Sequence, residues 1–206
     1  FWEFFDKNRV AITEIIEKKA DNLSKYKLFN DYPELFDFKL RHQYFRQRIK
    51  RKIVKNKKIF LQIDRDNIIE SSYNEMKKKK LFKKDSKWLH TFIVKYKEEE
   101  GIDYGGLTKD FLFNASKAFF ENKSGFFVEK EKTRCYQPNC CSTNYAYFRF
   151  AGQLIARAII EGVCIECHLS QPFIKQILHR KLSFTDLENI DPIKFRSLKE
   201  ILDKSI

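Results

Sequence analysis

The sequence predicts an α+β fold that is predominantly helical. Short alternations of apolar and polar residues occur at only a few places, whereas helical apolar spacing covers most of the remainder. A glycine-rich stretch also joins the clearest strand pattern to a clear helix pattern. The chain has 206 residues, of which 43% are hydrophobic and 21 are phenylalanine. It is therefore long enough and apolar enough to bury a core.

The chain up to residue 57 is predicted to be a helical lead-in. Apolar residues recur at helical spacing at Val10, Ile12, Ile15 and Ile16. Asp31 and Pro33 then have the order of an N-cap followed by a first-turn proline. A second amphipathic pattern follows at Leu35, Phe36, Phe38, Leu40, Tyr44, Phe45 and Ile49. We expect the lead-in to pack on the body that follows, because its aromatic surface would otherwise be exposed.

Residues 58–206 form the predicted body, which opens with strand, helix and strand. Alternation at Ile59, Leu61 and Ile63 indicates the first strand. A helix is predicted from an acidic cap at Asp66, and its apolar positions are Ile68, Ile69, Tyr73 and Met76. The second strand pattern comprises Trp88, Phe92, Val94 and Tyr96, with His90 on the same face as a core histidine.

The connector from Glu98 to Phe111 is the most informative stretch. Gly105 and Gly106 can adopt positive φ or let another backbone approach closely. Asp103 can accept hydrogen bonds from N–H groups freed at the turn, and Thr108 is placed as the N-cap of the next helix. That helix has its apolar positions at Phe111, Ala115, Ala118 and Phe119. We interpret the connector as a fold-specifying element.

The second half of the body is predicted to be mainly helical. A turn and short strand are expected at Gly125–Val128, and a polar loop at Thr133–Asn144. A strongly apolar helix then ends at Gly162, and its predicted buried face is Phe148, Gly152, Ile155, Ala156, Ile159 and Ile160. Small residues such as Gly152 would let another element pack close.

Short helices complete the pattern. One begins at Ser170 and carries Phe173, Ile174, Ile177 and Leu178. The segment Thr185–Glu188 has the form of a capping box, and Asp191 with Pro192 has the form of a cap followed by a proline. The last helix is predicted to use Phe195, Leu198, Ile201 and Leu202 as its apolar face.

The net charge of +13 leaves nucleic acid or an acidic surface open as a partner. Much of the excess lies in two clusters, residues 46–58 and 77–84. Neither cluster has aromatic residues interleaved as in a single-strand platform, nor the ligand spacing of a zinc finger. We interpret both clusters as solvated faces, and a basic nucleic-acid-binding or interaction module without catalytic activity remains the alternative function.

The cysteines favour a reduced protein. All five lie between Cys135 and Cys167, an odd number without a secretory signal, so a cytoplasmic or nuclear protein is expected. The segment Cys164–His168 matches the haem pattern CxxCH, but no other haem feature accompanies it. Zinc could be held by Cys135, Cys140 or Cys141 with Cys164, Cys167 or His168, although this spacing fits no standard finger. We predict no cofactor and no metal.

The sequence has no local signature of catalysis. It contains no GxSxG, no phosphate-binding glycine loop and no HExxH, and its four histidines are scattered. No apolar run reaches the roughly 20 residues that a membrane span needs. Residue chemistry alone therefore indicates an α+β domain with a basic surface.

Several ordered blocks resemble the HECT domain of ubiquitin ligases. The resemblance covers roughly residues 58–206, and residues 1–57 resemble the segment ahead of this domain in very large Mule-type ligases. The residues that carry the signature are Arg65, Asp66, Glu99, Glu100, Gly101, Asp103, Tyr104, Gly105, Gly106, Phe148, Gly152, Asp191 and Pro192. The matching part is the large subdomain of the N-lobe, and these residues are expected to have structural roles.

The resemblance implies an enzyme that accepts ubiquitin from a conjugating enzyme as a thioester and transfers it to lysines of protein substrates. The thioester cysteine of the family lies in a Thr-Cys-Phe-like context, which none of the five cysteines here has. The catalytic cysteine and the docking subdomain for the conjugating enzyme are therefore expected beyond Ile206. Lys123 and Ser124 precede Gly125 where some family members have a ubiquitin-binding aromatic residue, so a second ubiquitin site is not expected.

Overall fold

The computed structural model describes residues 2–18, 27 and 31–204 and has the predicted α+β, predominantly helical architecture. Its helices are α1 (Trp2–Lys7), α2 (Arg9–Lys18), α3 (Phe38–Lys52), α4 (Ile68–Lys78), α5 (Gly106–Phe120), α6 (Tyr145–Glu161), α7 (Gln171–Ile177) and α8 (Pro192–Lys204). Its strands are β1 (Val54–Ile63), β2 (His90–Tyr96), β3 (Phe127–Lys130) and β4 (Cys135–Pro138). Short 3-10 turns lie at Pro33–Leu35, Leu81–Lys83, Asp85–Leu89, Asn122–Ser124 and Phe184–Asn189. Strand β1 pairs with β2, and β3 pairs with β4.

The chain divides into two compact units. The first comprises residues 1–58 and 89–91, and the second comprises residues 59–88 and 92–206. Each unit has its own apolar cluster.

The first unit is built around the start of α3. Its buried cluster is Leu35, Phe36, Leu40 and Tyr44, against which Ile12 and Ile16 pack. Val10 and Ile15 are exposed, so only half of the predicted apolar stripe on α2 is correct. The predicted cap at Asp31 is also wrong. Pro33 lies in a 3-10 turn, and Asp37 caps α3 instead, its carboxylate accepting a hydrogen bond of 2.8 Å from the Leu40 amide.

The two strands of the first sheet bury their predicted faces in the second unit. Ile59, Leu61 and Ile63 of β1 are buried, and so are Phe92, Val94 and Tyr96 of β2. Trp88 is buried too, but it lies in the 3-10 turn ahead of β2 rather than in the strand.

Helix α4 begins one residue later than an Asp66 cap requires. Asn67 is the N-cap residue, and the Asp64 carboxylate accepts bonds from the amides of Asp66 and Asn67 at 3.1 and 3.4 Å. The predicted Asp66 cap is therefore wrong: Asp66 and Asn67 form a turn held by Asp64, and the helix starts only after Asn67.

Residues 133–144 are not entirely a loop, as the sequence had indicated. Strand β4 pairs antiparallel with β3, with Phe127 opposite Pro138 and Lys130 opposite Cys135. The other side of β4 makes a parallel bridge between Tyr136 and Leu169. The polar composition of β4 concealed this pairing, because the segment lacks a regular apolar alternation.

Helix α6 is central to the core, but its buried face differs from the predicted one. Phe150, Ala151, Leu154 and Ala158 are buried, whereas Gly152, Ala156 and Ile159 are exposed. In the described part of the chain, no atom of another element lies within 4 Å of where a Gly152 side chain would begin, so none of these elements packs closely there. The helix is apolar on most of its circumference, and periodicity alone could not select the buried side.

The chain ends in short helices whose starts follow local capping chemistry. Ser170 caps α7 by accepting a bond from the Phe173 amide at 3.3 Å. The capping box is formed by Ser183 and Asp186, two residues earlier than the predicted Thr185–Glu188. The predicted apolar positions Ile174, Ile177, Leu178, Ile201 and Leu202 are exposed.

Candidate functional site

The connector between β2 and α5 is organised by the buried carboxylate of Asp103. This carboxylate accepts hydrogen bonds from the amides of Val94 and Gly105 at 2.8 and 2.7 Å. It also accepts a bond of 2.5 Å from the Thr108 hydroxyl, which lies within reach of the Phe92 carbonyl as well. A side chain in the turn thus ties strand β2 to the first turn of α5. The sequence had predicted that Asp103 accepts from amides of the turn, as it does from Gly105, but not its bonds to Val94 and Thr108.

Thr108 is not the N-cap that the sequence predicted. Helix α5 begins at Gly106, and Gly105 is the cap residue, with φ of 102°. Thr108 is already inside the helix, and its hydroxyl points at Asp103. The hydrogen bonds from Thr108 and the two amides outweigh the effect of burial, so the pKa of Asp103 lies below its ordinary value.

Arg65 is the centre of a second polar cluster beside the connector. Its guanidinium donates to Glu99 at 2.7 and 3.2 Å and to Asp110 at 2.8 Å. It also lies over the ring of Tyr96, 3.7 Å from the ring centroid. The Tyr96 hydroxyl and the Asn114 amide donate to Asp110 at 2.9 Å each. This Arg65 cluster joins the loop before α4 to β2, the connector and α5.

The charged groups in the Arg65 cluster stabilise one another in their ionised forms. Hydrogen bonding to Glu99 raises the pKa of Arg65, and hydrogen bonding to Arg65 lowers the pKa of Glu99. Burial would raise the pKa of Asp110, but its bonds to Arg65 and Tyr96 bring that pKa below its ordinary value. Burial and the Asp110 hydrogen bond raise the pKa of Tyr96. The carboxylates therefore stay ionised and Tyr96 stays a donor at neutral pH.

The structure brings only some of the signature residues together. Arg65 meets Glu99, and Asp103 meets Gly105. Glu100 and Gly101 are exposed, and Tyr104 is 92% exposed. Elsewhere, Phe148 is half-buried beside the rings of Phe126 and Phe127, Gly152 is exposed on α6, and Asp191 with Pro192 starts α8, with Asp191 accepting from the Lys194 amide at 3.0 Å.

The two glycines of the connector are not equivalent. Gly105 has the positive φ that glycine adopts readily, whereas Gly106 lies at the helix start without it. Replacing Gly105 with alanine is expected to lower the free energy of unfolding by about 1 to 2 kcal/mol through backbone strain. Gly106→Ala provides the matched control and should change it by less than about 0.5 kcal/mol. Urea unfolding of both variants measures this, and equal losses would contradict the assignment of strain to Gly105.

Two polar interactions in the core escaped the sequence analysis. Arg157 on α6 is 1% exposed, donates to the Trp88 carbonyl, pairs with Glu161 and lies 4.2 Å from the centroid of the Phe92 ring. Lys175 pairs with Asp186 at 2.5 Å. The position of Arg157 among apolar residues in the sequence could have indicated that it is buried. It could not have revealed that its partner is the Trp88 carbonyl.

Cys141 and Cys167 do not have the setting of an activated nucleophile. Burial raises the pKa of Cys167 to about 11. The pKa of Cys141 is also raised, by contact with the Cys140 thiol 4.0 Å away. A raised pKa leaves less thiolate at neutral pH and so a weaker nucleophile. Within the part of the chain that the structure describes, no three His, Cys, Asp or Glu side chains are grouped to hold a metal ion.

Among residues 2–18, 27 and 31–204, no helix has the length and apolar character to span a bilayer. The polar groups of the two clusters are bonded to one another rather than directed at a reacting centre. The geometry of the connector is therefore that of a scaffold.

Comparison with known proteins relates this chain to ubiquitin ligases. The family model described as HECT-domain (ubiquitin-transferase) matches residues 113–206. E3 ubiquitin-protein ligase UPL2 of Arabidopsis thaliana is 27% identical over an alignment that covers 100% of this chain. The second half of the chain is therefore similar to a HECT domain. The chain is also similar to E3 ubiquitin-protein ligase HUWE1 of Mus musculus, at 26% identity over 100% of the chain.

A third HECT relative covers less of the chain. E3 ubiquitin-protein ligase NEDD4 of Rattus norvegicus is 28% identical over an alignment that covers 81% of this chain and 19% of the relative. The chain spans only about 6% of UPL2 and about 5% of HUWE1. The described residues thus represent a small part of proteins of this kind.

Proposed function

We propose that this chain is the N-lobe scaffold of a HECT-type ubiquitin ligase. In this proposal the whole protein accepts ubiquitin from a conjugating enzyme as a thioester and transfers it to lysines of protein substrates. Residues 58–206 serve as the large subdomain of the N-lobe, and residues 1–57 serve as its helical lead-in. The protein acts in the cytoplasm, the nucleus or both.

The connector carries this proposal. Asp103 and the Arg65 cluster use the family's signature residues to hold strand, turn and helix in one arrangement, and none of these groups is left to perform chemistry. A rigid scaffold is what a ligase needs to present a docking subdomain and a catalytic lobe. The relatives whose names state ubiquitin ligase activity support the assignment across the length of the chain.

The catalytic cysteine is proposed to lie outside residues 1–206. None of the five cysteines has the Thr-Cys-Phe context, and the pKa values of Cys141 and Cys167 are raised rather than lowered. Cys140, Cys141 and Cys164 are exposed, so a conjugating enzyme could reach them if one of them were the catalytic cysteine.

The chain of residues 1–206 is expected to form no ubiquitin thioester. The test incubates it with a ubiquitin-loaded conjugating enzyme and looks for a higher-mass species that a thiol reductant removes. A HECT ligase that carries its own catalytic cysteine serves as the positive control in the same reaction. A reductant-sensitive adduct that disappears in a variant with all five cysteines replaced by serine would overturn the placement of the cysteine.

A further inference from the structure

Helix α3 and the start of strand β1 combine an unusual charge with exposed rings. Residues 38–58 contain ten lysines and arginines and no aspartate or glutamate. These cations are Lys39, Arg41, Arg46, Arg48, Lys50, Arg51, Lys52, Lys55, Lys57 and Lys58. All lie in the first unit, and all are exposed except Arg46, which is half-buried. A field of one sign on a compact surface attracts a polyanion.

A stripe along α3 adds aromatic character to this field. Phe38, His42, Arg46 and Lys50 follow one another at four-residue spacing and so form neighbouring turns of one helix face. The rings of Phe38 and His42 are stacked, with centroids 5.8 Å apart and planes at 18°. We refer to these four residues as the α3 stripe.

The α3 stripe points away from the unit's own core. Leu40 is 0% exposed and Tyr44 is 7% exposed, whereas Phe38 is 75% exposed. Two residues correspond to about 200° around a helix, so the buried side and the stripe are on opposite faces. The folding of the first unit therefore explains Leu40 and Tyr44 but not the exposed ring pair.

A shallow cavity accompanies the α3 stripe. It has a volume of about 400 Å³ and is lined by His42, Gln43, Arg46, Gln47 and Lys50. The Gln43 side-chain oxygen in this lining is buried and has no hydrogen-bond partner among residues 2–18, 27 and 31–204. A ligand with hydrogen-bond donors would satisfy this atom, and the exposed edges of nucleobases carry such donors.

We propose that the α3 stripe binds single-stranded nucleic acid. Lys50 and the neighbouring cations contact the phosphates, while a base stacks on the exposed Phe38 ring. A duplex fits less well, because its bases are stacked on one another and cannot reach the ring. A membrane surface also fits less well, because the exposed face of α3 is dominated by charges rather than by the apolar side chains that enter a bilayer.

The proposal goes beyond ligase activity and can fail independently of it. The test measures fluorescence anisotropy of a labelled oligouridylate of about 20 nucleotides with the full 206-residue chain. Salt is varied between about 50 and 200 mM. We expect binding that weakens steeply with salt, and weaker binding to a duplex of the same length.

Two variants separate charge from stacking. Lys50→Gln with Arg51→Gln should weaken binding about tenfold and reduce the salt slope by about 1.4, since each phosphate contact on a single strand contributes about 0.7. Phe38→Ala should weaken binding about tenfold without changing the salt slope, and Phe38→Trp should retain the affinity. Both sites are exposed, and a thermal melt checks that each variant is folded.

A matched pair on the second unit provides the control. Lys83→Gln with Lys84→Gln removes the same charge from another exposed basic segment and should leave affinity nearly unchanged. Equal losses from the Lys50–Arg51 pair and the Lys83–Lys84 pair would show that net charge alone drives binding and would overturn the proposal. An affinity for the oligouridylate that is unchanged in Phe38→Ala would also overturn it. Binding to vesicles of anionic phospholipid without binding to the oligouridylate would do the same.

Discussion

Replacing Arg157 with leucine is expected to lower the free energy of unfolding by about 3 kcal/mol. The Arg157 guanidinium is buried, donates to the Trp88 carbonyl and pairs with Glu161. Leucine would leave that carbonyl without its donor and Glu161 without its cation, and it would withdraw atoms that cover the Phe92 ring. Burial lowers the pKa of Arg157 and Glu161 only partly offsets this effect, so the surroundings disfavour an isolated charge at this position.

Arg149→Leu is the matched control for this prediction. Arg149 lies on the same helix, but its side chain is 59% exposed and its contact with Asp85 is 3.6 Å. An exposed pair of this kind contributes less than about 1 kcal/mol. Denaturant unfolding of both variants gives the comparison, together with Arg157→Lys, which keeps the charge but cannot make both contacts in the same geometry. Similar small losses in Arg157→Leu and Arg149→Leu would contradict a structural role for the buried arginine.

Replacing Asp103 with alanine is expected to lower the free energy of unfolding by about 3 kcal/mol. The change would remove the acceptor for the amides of Val94 and Gly105 and for the Thr108 hydroxyl. Val94 and Thr108 are buried, so their donors lose bonds that water cannot fully replace, whereas the amide of the exposed Gly105 can turn to water. Asp66→Ala is the control, since Asp66 is an exposed signature residue. Comparable losses in the two variants would show that Asp103 does not organise the connector.

The contribution of Asp103 should also depend on pH in one direction. Its pKa is lowered in the folded protein, so the unfolded chain binds a proton more readily than the folded one. The stabilisation is therefore fully present above the unfolded pKa of about 3.9 and is lost as pH falls through the lower, folded pKa. The difference in unfolding free energy between wild type and Asp103→Asn should be constant from about pH 5 to 7 and should decrease below about pH 4. A difference that grows at acid pH would contradict this assignment.

Local features of the chain were predicted well where neighbouring residues decide them. The alternation of Ile59, Leu61 and Ile63, the stop at Gly162 and the start at Asp191 and Pro192 all have the expected structure. Asp103 accepts the turn amides, because the residue types within a few positions leave little alternative. Helix caps were predicted less well where several candidate residues lie close together. Thr108 was predicted where Gly105 is the cap, and Asp31 was predicted where Asp37 caps the next long helix.

Features that depend on distant residues were not predicted. The partners of Arg65 lie 34 and 45 positions away, and the carbonyl that Arg157 contacts lies 69 positions away. The pairing of β3 with β4 and the buried side of α6 depend on what packs against each element. Such contacts leave no local pattern, since polar and apolar spacing describes one element at a time.

By itself, the sequence determined the class of fold, the order of most elements, the turn chemistry of the connector and the HECT signature. Each of these follows from residues close together in the chain or from ordered blocks of them. Only the tertiary structure decided that Arg65 joins Glu99 and Asp110 and that Arg157 lies in the core. It also placed the Phe38 and His42 rings together on the basic face of α3. The physical reason is that burial and pairing are properties of neighbours in space, which the chain brings together only when it folds.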